Sequence, residues 1–110
     1  MSEVENIELS IEDARKLVAR KDAALKLATN REFKQLILND YYVDEAVRLT
    51  SCLGQPQMKN FEAEIVGDLK AIASLRQYFQ TIITMGRNAE SELVEAQELL
   101  EETRAAELEG

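Results

Sequence analysis

The chain is expected to be all-α, on three observations. One Pro and four Gly in 110 residues leave few turn signals, whereas a β-sandwich or barrel needs many. Aromatic residues are scarce, with no Trp, three Phe and three Tyr. Apolar residues in the C-terminal half recur at steps of three and four, the period of one helix face.

The C-terminal stretch, residues 58–109, organises the rest. From Ile72 its stripe runs Leu75, Phe79, Ile82, Gly86, Ala89, Leu93, Ala96 and Leu100. This is a coiled-coil-like heptad pattern with Ile72, Phe79, Gly86, Leu93 and Leu100 at a. Phe61, Ile65 and Leu69 extend the stripe upstream by steps of four, which resembles a stutter. A continuous helix here would be roughly 75–80 Å long at about 1.5 Å per residue. It cannot bury its stripe on itself, so other helices must cover it. The expected interaction seam is Phe61, Ile65, Leu69, Ile72, Leu75, Phe79, Ile82, Gly86, Leu93 and Leu100. Gly86 is expected to permit close approach of another helix, the alternative being a kink.

The chain before this helix divides by its capping signals. Residues 1–9 are acidic and are expected to form a flexible N-terminus, with one helical domain over 10–110. Ser10 with Asp13 resembles a capping box and opens a first helix over residues 10–29. Ile11, Ala14, Val18, Leu25 and Ala28 share its apolar face, with Leu17 and Ala24 beside it. Lys21 falls within that stripe, where a Lys either snorkels outward or meets a carboxylate; outward snorkelling is the expectation. Thr29 with Glu32 reads as a second capping box, restarting the chain into a small two-helix head over residues 30–54. Phe33, Leu36 and Ile37 give its first helix an apolar face. A break is expected at Asn39-Asp40, with Asp40 capping a short helix that carries Tyr41, Tyr42, Val43, Ala46, Val47 and Leu49. Leu53-Gly54-Gln55-Pro56 reads as a stop, with Gly54 in the left-handed conformation. The first helix is expected to pack against the long one.

Composition narrows the function classes. There is no His, which removes the commonest general base and zinc ligand. The single Cys52 has no His base, so it reads as a structural thiol. The Glu residues near the C-terminus read as a solvated face, since bundle di-metal sites pair Glu with His. Gly67 and Gly86 stand alone, outside any phosphate-cradling loop. The net charge of −8 argues against nucleic-acid binding over the whole surface. It is uneven: residues 88–110 hold eight Glu against Arg104 alone, while residues 15–34 hold seven Lys and Arg. No apolar run is long enough to span a membrane, and residues 1–9 lack the features of a secretory signal. No catalytic residue, metal or cofactor is expected.

Several stretches together resemble, in order, a family of small helical proteins of tailed bacteriophages. They are Ile11-Glu12-Asp13-Ala14-Arg15-Lys16-Leu17, Phe33-Lys34-Gln35-Leu36-Ile37-Leu38 and Asp44-Glu45-Ala46-Val47-Arg48-Leu49. Ala71-Ile72-Ala73-Ser74-Leu75-Arg76-Gln77-Tyr78-Phe79 and Met85-Gly86 complete the set. The resemblance implies a virion-associated phage protein and carries over no catalytic residue. With the seam, it leads to the expectation of a non-enzymatic structural or virion-assembly protein, in the virion or the host cytoplasm. Its partners would be further copies of itself or a larger virion protein. The alternatives are an acidic nucleic-acid mimic that inhibits a host enzyme, or an assembly chaperone absent from the virion.

Overall fold

The structure, a computed structural model, describes residues 2–110. Those residues form three helical stretches and no strand. Helix α1 spans Glu3–Thr29. Helix α2 covers residues 31–53 as one α turn (Arg31–Phe33), a π-helical segment (Lys34–Glu45) and a closing α segment (Ala46–Leu53). Helix α3 opens with a 3₁₀ turn over Pro56–Phe61 and continues as an α-helix over Glu62–Glu109. It runs unbroken through Gly86.

Helix α1 begins earlier than its sequence suggested. Ser2 is its N-cap: the Glu5 amide donates to Ser2 Oγ at 3.1 Å, and the Ser2 amide donates to Glu5 Oε2 at 3.2 Å. This reciprocal capping box opens the helix at Glu3, so most of residues 1–9 are helical. Ile7 is buried and extends the stripe of Ile11 and Ala14 toward the N-terminus. Ser10 caps nothing; it lies inside the helix and its hydroxyl donates to the Asn6 carbonyl. At the other end Thr29 Oγ1 donates to the Lys26 carbonyl. Asn30, in extended conformation, caps α2 by accepting from the Phe33 amide at 2.8 Å. The cap therefore sits one residue beyond Thr29.

The expected break at Asn39-Asp40 does not occur. The helix widens instead, and Asp40 accepts from Gln35, five residues back, in place of capping a new helix. Phe33 and Tyr42 both face α3: Phe33 meets Phe79 edge-on at 5.7 Å, and Tyr42 is buried with Ile65 and Ile72. They are nine residues apart. At about 3.6 residues per turn those nine make two and a half turns and put the rings on opposite faces. Bonding of i to i+5 gives about 4.4 residues per turn, so nine residues close two turns and align the rings.

Gly54 ends α2 without a left-handed residue, at φ −85° and ψ −3°. The amides of Gly54 and Gln55 donate to the carbonyls of Ser51 and Cys52, tightening the last turn into 3₁₀ form. Gln55 is extended, as suits the residue before a proline, and Pro56 opens α3.

The helical stretches form two compact units. The first is Met1–Ala24 with Ile82–Gly110. In it α1 and α3 run antiparallel, since Glu8 pairs with Arg104 while Lys21 pairs with Glu90. Ile7, Ile11, Ala14, Lys21 and Ala24 are buried on α1, and Gly86 and Ala89 on α3. The second unit is Leu25–Thr81. Its core is Tyr42, Leu49, Ile65 and Ile72, flanked by Ile37, Leu38, Met58, Leu69 and Leu75. Cys52 is half-buried against that core, a structural position.

Tyr42 has one unmatched feature. Its ring carries the Arg76 guanidinium 5.1 Å from the centroid, a cation–π contact. Its hydroxyl is buried without a hydrogen-bond partner. Burial raises the phenol's pKa, Arg76 opposes that and Tyr41 adds to it. A raised folded-state pKa contributes stability present below the unfolded value of about 10 and lost as pH rises through the folded value. Tyr42→Phe is expected to match or exceed wild-type stability at neutral pH, because the lost hydroxyl costs about 1–3 kcal/mol to desolvate. The variant should also lose less stability than wild type above about pH 10. Denaturant titrations at neutral and alkaline pH check both outcomes.

Candidate interaction surface

Within the first unit, position 86 decides how closely the helices meet. A Cβ there would overlap Lys21 Cβ, lie 2.8 Å from Lys21 Cγ and 3.0 Å from the Leu17 carbonyl oxygen. Only a glycine admits the Lys21 stem at this distance. The Lys21 side chain keeps 9% of its exposure, yet its ammonium pairs with Glu90 on α3 and lies 3.2 Å from Asp22. Lys21 thus does not snorkel away from the seam. Its stem crosses the seam over Gly86, and its charge emerges at the rim, where Glu90 remains about half exposed. The register is helped by Arg104, which donates to Glu8 near the far end of the pair.

Most of the predicted seam is covered by the chain itself. Ile65 and Ile72 are buried in the second unit, and Leu69, Leu75 and Phe79 are half-buried there. Gly86 is buried in the first unit, where Ile82, Leu93 and Leu100 are half-buried. Phe61 is the exception, half exposed in the 3₁₀ turn. Sequence periodicity finds such a stripe without saying whose helix covers it, because self-packing and association use the same spacing.

What remains outside is distributed unequally. Residues 1–24 and 82–110 hold 14 acids and six bases, a net charge of −8; residues 25–81 hold seven of each and are neutral. Of thirteen large apolar side chains exposed among the described residues, eight lie in that neutral unit: Leu25, Leu27, Leu36, Val43, Val47, Leu53, Phe61 and Tyr78. On α2, Val43 and Val47 lie four residues apart beside an exposed ion pair. Arg48 binds Glu45 through two of its nitrogens. That hydrogen bond holds the Glu45 carboxyl below the usual carboxylate range and raises Arg48. The sequence signal for this face was available: Val43 and Val47 fall off the phase of Tyr42, Ala46 and Leu49.

Two open grooves are found among the described residues. One open groove of about 520 Å³ in the first unit is lined by Ile11, Leu100, Arg15, Gln97, Glu101 and the Glu8–Arg104 pair. Another, of about 430 Å³, is lined by Thr29, Arg31, Lys34 and Gln35. Neither brings together a nucleophile, a base and an orienting group. Among the described residues no three His, Cys, Asp or Glu side chains are placed to hold a metal. No helix among them is long and apolar enough to cross a membrane. Comparison with known proteins finds no matching family model, no matching curated protein and no matching solved structure.

The Lys21–Gly86 crossing gives a direct test. Gly86→Ala gains about 1 kcal/mol of helix propensity but forces Lys21 and the Leu17 backbone outward. It is expected to destabilise by about 1–3 kcal/mol. Lys21→Met keeps the stem and removes the charge, leaving the rim-exposed Glu90 in water, and should change stability by no more than about 1 kcal/mol. Thermal and denaturant unfolding of the two variants checks the ordering.

Proposed function

We propose that this chain is a non-enzymatic structural or assembly protein that works by helix packing and self-association. The observation that carries this reading is the gathering of exposed apolar side chains in the unit of zero net charge. Exposed apolar surface of this kind is what protein–protein contacts use. Charge neutrality lets like copies approach there without the repulsion that a net −8 imposes on the other unit. The resemblance to small tailed-phage proteins gives the setting, a virion or its assembly.

Leu75 and Ile82 lie in the packed stripe of their own chain. Asp at either position would disturb folding whether or not copies associate. The informative measurement is the absolute mass of the wild-type chain by light scattering at low and high salt. The expected result is an oligomer that persists in high salt, as apolar burial requires. A monomer at all salt and protein concentrations overturns the reading.

A second reading has its own observation, the concentration of the whole net charge in the first unit. There the chain would present an acidic face to a nucleic-acid-binding enzyme. Truncation is a poor test, because Ile82–Gly110 is one side of a compact unit. Replacing Glu92, Glu95, Glu98, Glu101 and Glu102 by Gln keeps the helix and removes the charge. Under this reading the quintuple variant loses salt-sensitive inhibition of such an enzyme while its circular dichroism stays that of wild type. Unchanged inhibition overturns it.

A further inference from the structure

We infer that the outer face of α2 around Val43 and Val47 is the contact between two copies of this chain, in an antiparallel two-fold arrangement. The inference rests on the self-association proposed above and names its surface. Val43 is 45% exposed and Val47 61% exposed. The next turn continues the face with Thr50 and Ser51, both exposed. Their hydroxyls donate inward, Thr50 Oγ1 to the Ala46 carbonyl at 2.7 Å and Ser51 Oγ to the Val47 carbonyl at 2.9 Å. Covering this turn therefore strands no donor, and what it offers a partner is largely methyl and methylene.

Charge on the same helix selects a second copy as the occupant. Asp44 follows Val43 and Arg48 follows Val47, so an acid and a base four residues apart flank the apolar pair. Two antiparallel copies related by a two-fold axis bring Val43 of each against Val47 of the other. The same operation sets Asp44 opposite position 46 of the mate and leaves the mate's Arg48 two residues, about 3 Å, further along the same side, within reach of its long side chain, twice per contact. A face that carries its own complement in this order is self-complementary, as an isologous interface requires. The Glu45–Arg48 pair preorganises the guanidinium at the edge, where its side chain is 61% exposed. Neutrality of residues 25–81 removes the net repulsion that would oppose such pairing. The area offered by one helix face is at the small end of specific interfaces, so the dimer forms in a concentration-dependent way.

The test uses the full chain and its mass by light scattering over a dilution series. Val47→Asp is expected to raise the dimer dissociation constant at least tenfold while circular dichroism and melting temperature stay near wild type, since the residue lies on the surface. Asp44→Arg alone and Arg48→Glu alone should each weaken association, and the two together should restore it. A Val47→Asp chain that folds and dimerises as wild type overturns the α2 face and leaves self-association standing through another surface. Weakening by both charge reversals without restoration in the double variant overturns the antiparallel arrangement. A wild-type chain that is monomeric throughout overturns this inference together with the self-association reading.

Discussion

An apolar stripe along a helix of 48 residues cannot be buried by that helix, and the rest of the chain is fitted to that constraint. Two partners share the work. In one unit α2 supplies Tyr42 and Leu49 against Ile65 and Ile72, large side chains that form a conventional apolar core. In the other, α1 meets the part of α3 that carries Gly86, Ala89 and Ala96. Small residues there let the backbones come close, and Ala89 keeps only 1% of its exposure. Close approach is also what makes Lys21 tolerable in the stripe. Its methylene stem replaces the apolar side chain the spacing calls for, and Glu90 and Asp22 meet its charge at the rim. A buried lysine without those carboxylates would be costly.

The same constraint explains α2. Its apolar residues fall out of α-helical phase between Phe33 and Tyr42. A chain can answer by breaking the helix and restarting it, or by widening the turn. This chain widens, and a π-helical segment keeps both aromatic rings on α3. Such segments are uncommon and marginal alone, so the packing of Tyr42, Ile37 and Leu38 must hold this one. The residues displaced to the outer face, Val43 and Val47, are thereby left exposed.

The two units differ in what they put on their surfaces. One is acidic and paired along a small-residue seam; the other carries no net charge and holds eight of the thirteen large apolar side chains exposed among the described residues.

Much of this was legible in the sequence because it depends on local spacing. The all-helical class, the heptad stripe from Ile72 to Leu100 and the stop near Gly54-Pro56 follow from periodicity and backbone preference, which neighbouring residues set. The Ser2–Glu5 cap was equally local and was obscured by the similar pattern at Ser10. Other features were decided only by the tertiary structure. The continuity of α2 through Asn39-Asp40 depends on α3 waiting to receive both Phe33 and Tyr42. The inward role of Lys21 depends on Gly86, 65 residues away in sequence. The stripe's coverage by its own chain depends on α1 running antiparallel to α3 in the first unit. Spacing states that a face must be buried; only the folded chain determines what buries it, because that choice is made by contacts between residues far apart in sequence.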